Sequence, residues 1–143
     1  MNQIFGERGT DALKLLLPVI WTAGIYLFGA WDLILMALIA LVVIDYITGV
    51  MAEFVEKKLN SETGTHRIIK KFCIFLIVAV ANIVDITTGL NEPYLRTAVI
   101  WFFIINESLS ALENMGRLGV PLPEFLKQSL EKLNKNKGND GDK

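Results

Sequence analysis

Between Leu15 and Leu112 the sequence holds four apolar runs of near-bilayer length, and three of them contain a carboxylate. A hydrocarbon core about 30 Å thick takes roughly 20 apolar residues to cross as a helix. The runs are Leu15 to Ala30, Leu33 to Ala52, Phe72 to Leu90 and Leu95 to Leu112. The chain is 52% hydrophobic and 20% charged, against about 45–50% and about 25% in a typical soluble domain. The excess collects in these runs and is separated by short charged stretches. That pattern predicts an all-α, polytopic integral membrane protein with four transmembrane helices arranged as two helical hairpins.

Leu15 to Ile44 is interrupted only by Asp32 and is too long for one span. Gly29, Ala30, Trp31 and Asp32 supply a break: Gly permits a turn, Asp favours one, and Trp suits the headgroup level. A tight hairpin with Trp31 at the interface follows. Pro18 is expected in the first turns of its helix, where a missing N–H costs little. Thr65 is expected to cap a helix that runs through "HRIIKK" into the third span.

The basic residues set the expected orientation. Arg8 and Lys14 precede the first span; Lys57, Lys58, Arg67, Lys70 and Lys71 lie between the second and third; Arg117 and five lysines follow the fourth. With four spans, Arg96 alone of the fourteen basic residues falls on the opposite side. The positive-inside rule then places both termini and the central loop in the cytoplasm. The expected organisation is a cytoplasmic N-terminus over 1–14, a transmembrane domain over 15–112, and a cytoplasmic segment over 113–143. The spans are 15–30, 33–52, 72–90 and 95–112, with a basic loop over 53–71. The N-terminus lacks the small-residue cleavage site of a secretory signal and reads as retained. Past breaks at Gly116, Gly119 and Pro121, residues Phe125, Leu126, Leu130 and Leu133 recur at helical spacing opposite Lys127 and Lys132. That predicts a short amphipathic helix on the membrane face, followed by a polar tail.

Asp45, Asp85 and Glu107 fall inside apolar runs. A carboxylate at the bilayer centre costs about 2.5–3.5 kcal/mol on insertion scales, so each needs a partner, water or a proton. Asp45, Thr48, Gly49 and Ala52 share one face of the second span; Asn82, Asp85 and Gly89 share one on the third. Asn106 and Ser110 are four apart on the fourth, beside Glu107. Small residues let helices approach and polar ones bond across them. Asp45, Thr48, Asn82, Asp85, Asn106, Glu107 and Ser110 are therefore the expected intramembrane polar or pore-facing residues. Gly49, Ala52 and Gly89 are the expected packing positions. The stripes would glue a bundle together or line a water-filled path.

Catalysis has little support. There is no P-loop, HExxH, Cys/His metal spacing or serine nucleophile motif. No catalytic residue, metal or cofactor is expected. His66 reads as a solvated surface residue, and the lone Cys73 as a buried small apolar side chain. A net charge of -1 gives no field for nucleic acid.

"DYITG" at 45–49, "KKLNSETG" at 57–64 followed by "IIKK", "NESLSALEN" at 106–114 and "LGVPLP" at 118–123 occur in an order and spacing that resemble the bacteriophage holin family of phage lysis and toxin secretion. The resemblance covers about residues 33–133. It implies a protein that gathers in the bacterial cytoplasmic membrane, forms a homo-oligomer and opens a timed hole. The hole releases or activates a partner endolysin. It implies no enzymatic chemistry, and a charged cytoplasmic tail. Two other readings use the same residues: a small proton- or ion-linked channel or transporter, and a structural membrane partner.

Overall fold

The computed structural model describes residues 2–58, 60–89, 91–129 and 132, with the backbone alone at 2–13, 61 and 63. It is all-helical. Helix α1 spans Asn2–Phe28, α2 Leu33–Val55, α3 Ser61–Thr88 and α4 Tyr94–Arg117. A further helical stretch covers 124–129.

Local chemistry sets the boundaries. Gly29 adopts φ +75° and releases the chain from α1; a left-handed helix terminus favours glycine. Asp32 then caps α2, its carboxylate accepting from the Leu35 amide at 3.0 Å. Helix α3 starts at Ser61, because Asn60 caps it by accepting from the Glu62 amide at 3.0 Å. Thr65 therefore lies within the helix and is not its cap. Much of the expected basic loop over 53–71 is helix, and only residues 56–60 join α2 to α3. Helix α1 reaches back to Asn2, so Pro18 is interior and removes one donor from the ladder. Helix α4 continues through Gly116 and ends at Arg117, ahead of Gly119 at φ +85°. Phe125 and Leu126 lie in the following helical stretch. Leu130, Leu133 and the polar tail fall outside the described residues.

Packing departs from two side-by-side hairpins. Helix α2 packs chiefly along α4, α4 also packs on α3, and α1 packs on α3 rather than on α2. The reason is polar. The Asn82 amide of α3 donates to the Tyr26 carbonyl of α1 at 2.9 Å, and Phe28 meets Phe75 edge-on. Trp31 of the turn stacks on Trp21 at 5.6 Å and is exposed. Leu35, Leu38 and Val42 of α2, Ile74 and Val78 of α3, and Ile100 of α4 form the apolar core.

The outer surface is apolar. Leu33, Met36, Ile47, Phe72, Val80, Phe102 and Ile105 are all exposed. Among the described residues, α2 and α4 are long and apolar enough to cross a membrane, and Lys14–Phe28 is a shorter apolar helix. Only 33% and 22% of the most apolar windows of α2 and α4 are buried in the bundle. The core helix of a soluble protein would be mostly covered, so these faces are built for lipid. Cys73 lies on this exposed surface and not in the core.

Candidate functional site

The core layer separates two polar clusters. Arg96 and Glu107 lie eleven residues apart on α4, so the clusters are about 16 Å apart along that helix.

The first cluster joins α2, α3 and α4 near the middle of α2 and α4. Asp45 is twelve residues from the start of α2 and ten from its end, or about 18 Å and about 15 Å. Its carboxylate meets the Lys71 ammonium at 2.5 Å and accepts from the Asn114 amide at 3.0 Å. The same ammonium pairs with Glu107. Asp45 and Glu107 are 7% and 4% exposed, so one lysine stands between two buried carboxylates on different helices. Low dielectric strengthens such pairs and makes loss of one partner costly. The Thr48 hydroxyl donates to the Ile44 carbonyl at 2.8 Å, and the Asn114 amide lies 3.4 Å from it.

A cavity of about 340 Å³ opens onto this cluster. Exposed Asn106 and half-buried Ser110 line it from α4, and Arg67 and Lys70 line it from α3. Arg67 pairs with Glu53 of α2 at 2.6 Å. A side chain at Gly49 would run into the Arg67 guanidinium, so glycine there lets Arg67 lie across α2. Ala52 is fully buried, and Gly49 is buried one turn before it on the same helix.

The second cluster holds the other ends of the helices. Arg96 is 1% exposed. Its guanidinium donates to the Phe28 carbonyl at 2.6 Å, the Ala30 carbonyl at 2.7 Å and the Asp32 carboxylate at 2.8 Å. This hydrogen bond from Arg96 holds the Asp32 carboxyl below its ordinary value, against a rise from desolvation. Asp85 lies here and not with Asp45 and Glu107. Its two oxygens accept from the Leu95 and Arg96 amides at 3.0 and 2.7 Å, capping α4 from another helix. Pro93 precedes α4 and offers no side-chain cap. Asn82 belongs to the same cluster. Gly89 is the left-handed terminus of α3, with open space around it, rather than a packing contact.

At the mouth of the first cluster Arg117 forms a fork with Glu56 at 2.9 and 3.0 Å. That hydrogen-bonded pair draws the Glu56 carboxyl down to about 2 and raises Arg117.

Sequence reasoning singled out Asp45 and Glu107 but missed Lys71, Arg96, Asn114, and the Arg67–Glu53 pair. Signals existed. Lys71 abuts the third apolar run, within reach of carboxylates on neighbouring helices. Arg96 stands alone on its side of the charge map, near Asp32 and Asp85. No group of His, Cys, Asp or Glu among the described residues is placed to hold a metal ion.

A bundle that turns apolar side chains outward and pairs its charges inside is a helical membrane protein. Residues 22–135 match the model of the bacteriophage holin family, and the chain belongs to that family of non-enzymatic membrane proteins. It is 39% identical over 127 residues to an uncharacterised protein of Clostridium perfringens, covering 89% of this chain and 93% of that one. It is 39% identical over 125 residues to an uncharacterised protein of Halalkalibacterium halodurans, covering 85% and 93%. It is 37% identical over 105 residues to a protein named a probable holin in Bacillus phage phi105, covering 73% and 76%. No solved structure matches it.

Proposed function

We propose that this protein is a holin that crosses the bacterial cytoplasmic membrane four times with both termini in the cytoplasm. It self-associates there and opens a timed hole that releases or activates an endolysin. The observation that carries this reading is the Asp45–Lys71–Glu107 cluster, buried midway along lipid-facing helices. A timed hole needs a protein that rests stably in lipid yet holds a hydrophilic face in reserve. Paired charges provide the resting state, because each carboxylate has the Lys71 ammonium beside it. Separated and hydrated, Asp45, Thr48, Asn106, Glu107 and Ser110 provide the hydrophilic face. Moving one charge across the membrane potential is worth about 2.3 kcal/mol per 100 mV, enough to bias such a rearrangement.

Orientation rests on the basic residues around α3 and beyond α4, with Arg96 as the exception. The domain organisation follows: short cytoplasmic N-terminus, transmembrane bundle, and cytoplasmic C-terminal segment.

The test is the lag between induction and loss of membrane potential in a bacterium. Wild type, Asp45→Asn and Glu107→Gln are compared at equal membrane abundance. Wild type should depolarise abruptly after a lag, and both amides should shift it. An unchanged lag in both would remove the carboxylates from the mechanism. A steady, substrate-dependent current without death would favour an ion-linked channel.

A further inference from the structure

The two halves of α3 are held in different ways. From Ile74 onward the helix is packed: Ile74, Val78, Ala79, Ala81, Asn82 and Asp85 are all buried. Before Ile74 none of its described side chains is buried. The cavity lies between this half, α4 and the Asp45–Tyr46 stretch of α2, and α2 touches α3 little. The N-terminal half is joined to its neighbours by charge: Arg67 to Glu53, and Lys71 to Asp45 and Glu107. Its link to α2 is the short segment 56–60. The far end is tied by Asn82 to α1 and by Asp85 to the start of α4. One half therefore separates only with loss of the core, and the other by exchanging three ion pairs for water.

We propose that the N-terminal half of α3 is an electrostatic latch. Lys71 and Arg67 act as built-in counter-ions that cover the polar face of α2 and α4. The half-helix swings outward about the packed segment near Ile74 and leaves Asp45, Asn106, Glu107 and Ser110 to the water of the hole. This rests on the holin reading for its purpose but not for its geometry. Gly49 is part of the device, because a larger residue would push Arg67 off its seat over α2.

Arg67–Glu53 is the place to test it, since the pair lies outside the Asp45 cluster. Three variants are compared with wild type: Glu53→Arg, Arg67→Glu, and the double swap. Two readouts are taken. One is the lag to depolarisation in cells. The other is the rate at which a membrane-impermeant maleimide labels Ser110→Cys in inverted vesicles, with Cys73→Ser in every chain. Each single reversal should shorten the lag and raise labelling roughly tenfold, as loss of a partly buried pair shifts the opening equilibrium. The double swap should return both towards wild type, and unchanged helical circular dichroism of the single variants in micelles separates opening from misfolding. Equal labelling in all four chains would overturn the latch, as would a double swap that labels as fast as the singles. Failure of wild type to depolarise cells would count against the holin reading alone, and the labelling would still decide the latch.

Discussion

Replacing Arg96 with Met tests whether the second cluster is the structural anchor of the bundle. Methionine keeps an unbranched apolar side chain in the buried site and removes the guanidinium. Two carbonyls, of Phe28 and Ala30, lose a charged donor; each such bond contributes about 1.5–3 kcal/mol. The Asp32 side chain is 37% exposed, so solvent screens its share to about 0–1 kcal/mol. The expected loss is about 3–7 kcal/mol. At about 2–4 °C per kcal/mol for a chain of this size, melting of helical circular dichroism in detergent micelles should fall by at least about 6 °C. Arg96→Lys keeps one point charge but not the fork, and should lose about half as much. Acid supplies a further check. The folded Asp32 carboxyl is lowered, so its stabilisation is present above the ordinary carboxylate range and fades as pH falls through the lowered value. The gap between wild type and Arg96→Met should therefore narrow below about pH 4. A melting point within about 2 °C of wild type at neutral pH would refute the anchor.

Asp85→Ala should cost about 0.5–2 kcal/mol through loss of the α4 cap, and Asp85→Asn less, because one acceptor oxygen remains; melting in micelles checks both. Lys71→Met leaves two buried carboxylates without a cation and should destabilise by about 3–5 kcal/mol. Adding Asp45→Asn and Glu107→Gln should recover much of that loss, whereas independent sites would give only further destabilisation. Arg117→Gln should return the Glu56 carboxyl from about 2 towards its ordinary value of 4.5, read from the pH titration of its carboxyl resonance. Gly29→Ala should destabilise by about 1–2 kcal/mol from the left-handed backbone alone, and more where its methyl meets the Asn82 amide oxygen at 2.6 Å.

The four helices were legible because apolar runs of bilayer length leave few alternatives, and the Gly29–Asp32 break could be read from turn chemistry. The expected ends were less accurate. A hydropathy window stops at the first charges, but a helix continues until its cap. So α3 begins at Ser61 rather than after Thr65, one turn earlier than the helix expected through "HRIIKK". Pairing between helices was legible for α3 and α4, which pack as the expected second hairpin, and not for α1. Sequence neighbours suggested that α1 lies against α2, whereas Asn82 and Phe75 draw α1 to α3. Asp45 and Asp85 looked alike as lone acids in apolar runs. Their difference lies in what stands opposite: an ammonium for one, the free amides of a helix start for the other. Neither partner can be assigned without the packing.

The most direct measurement of the central claim is an induction assay in a bacterium, with the chain expressed alone and with a cytoplasmic endolysin. Membrane potential, viable count and turbidity are followed together. The account predicts abrupt depolarisation and death after a lag in both cultures, and lysis only where endolysin is present. Continued growth at normal potential, with insertion in the membrane verified, would contradict it.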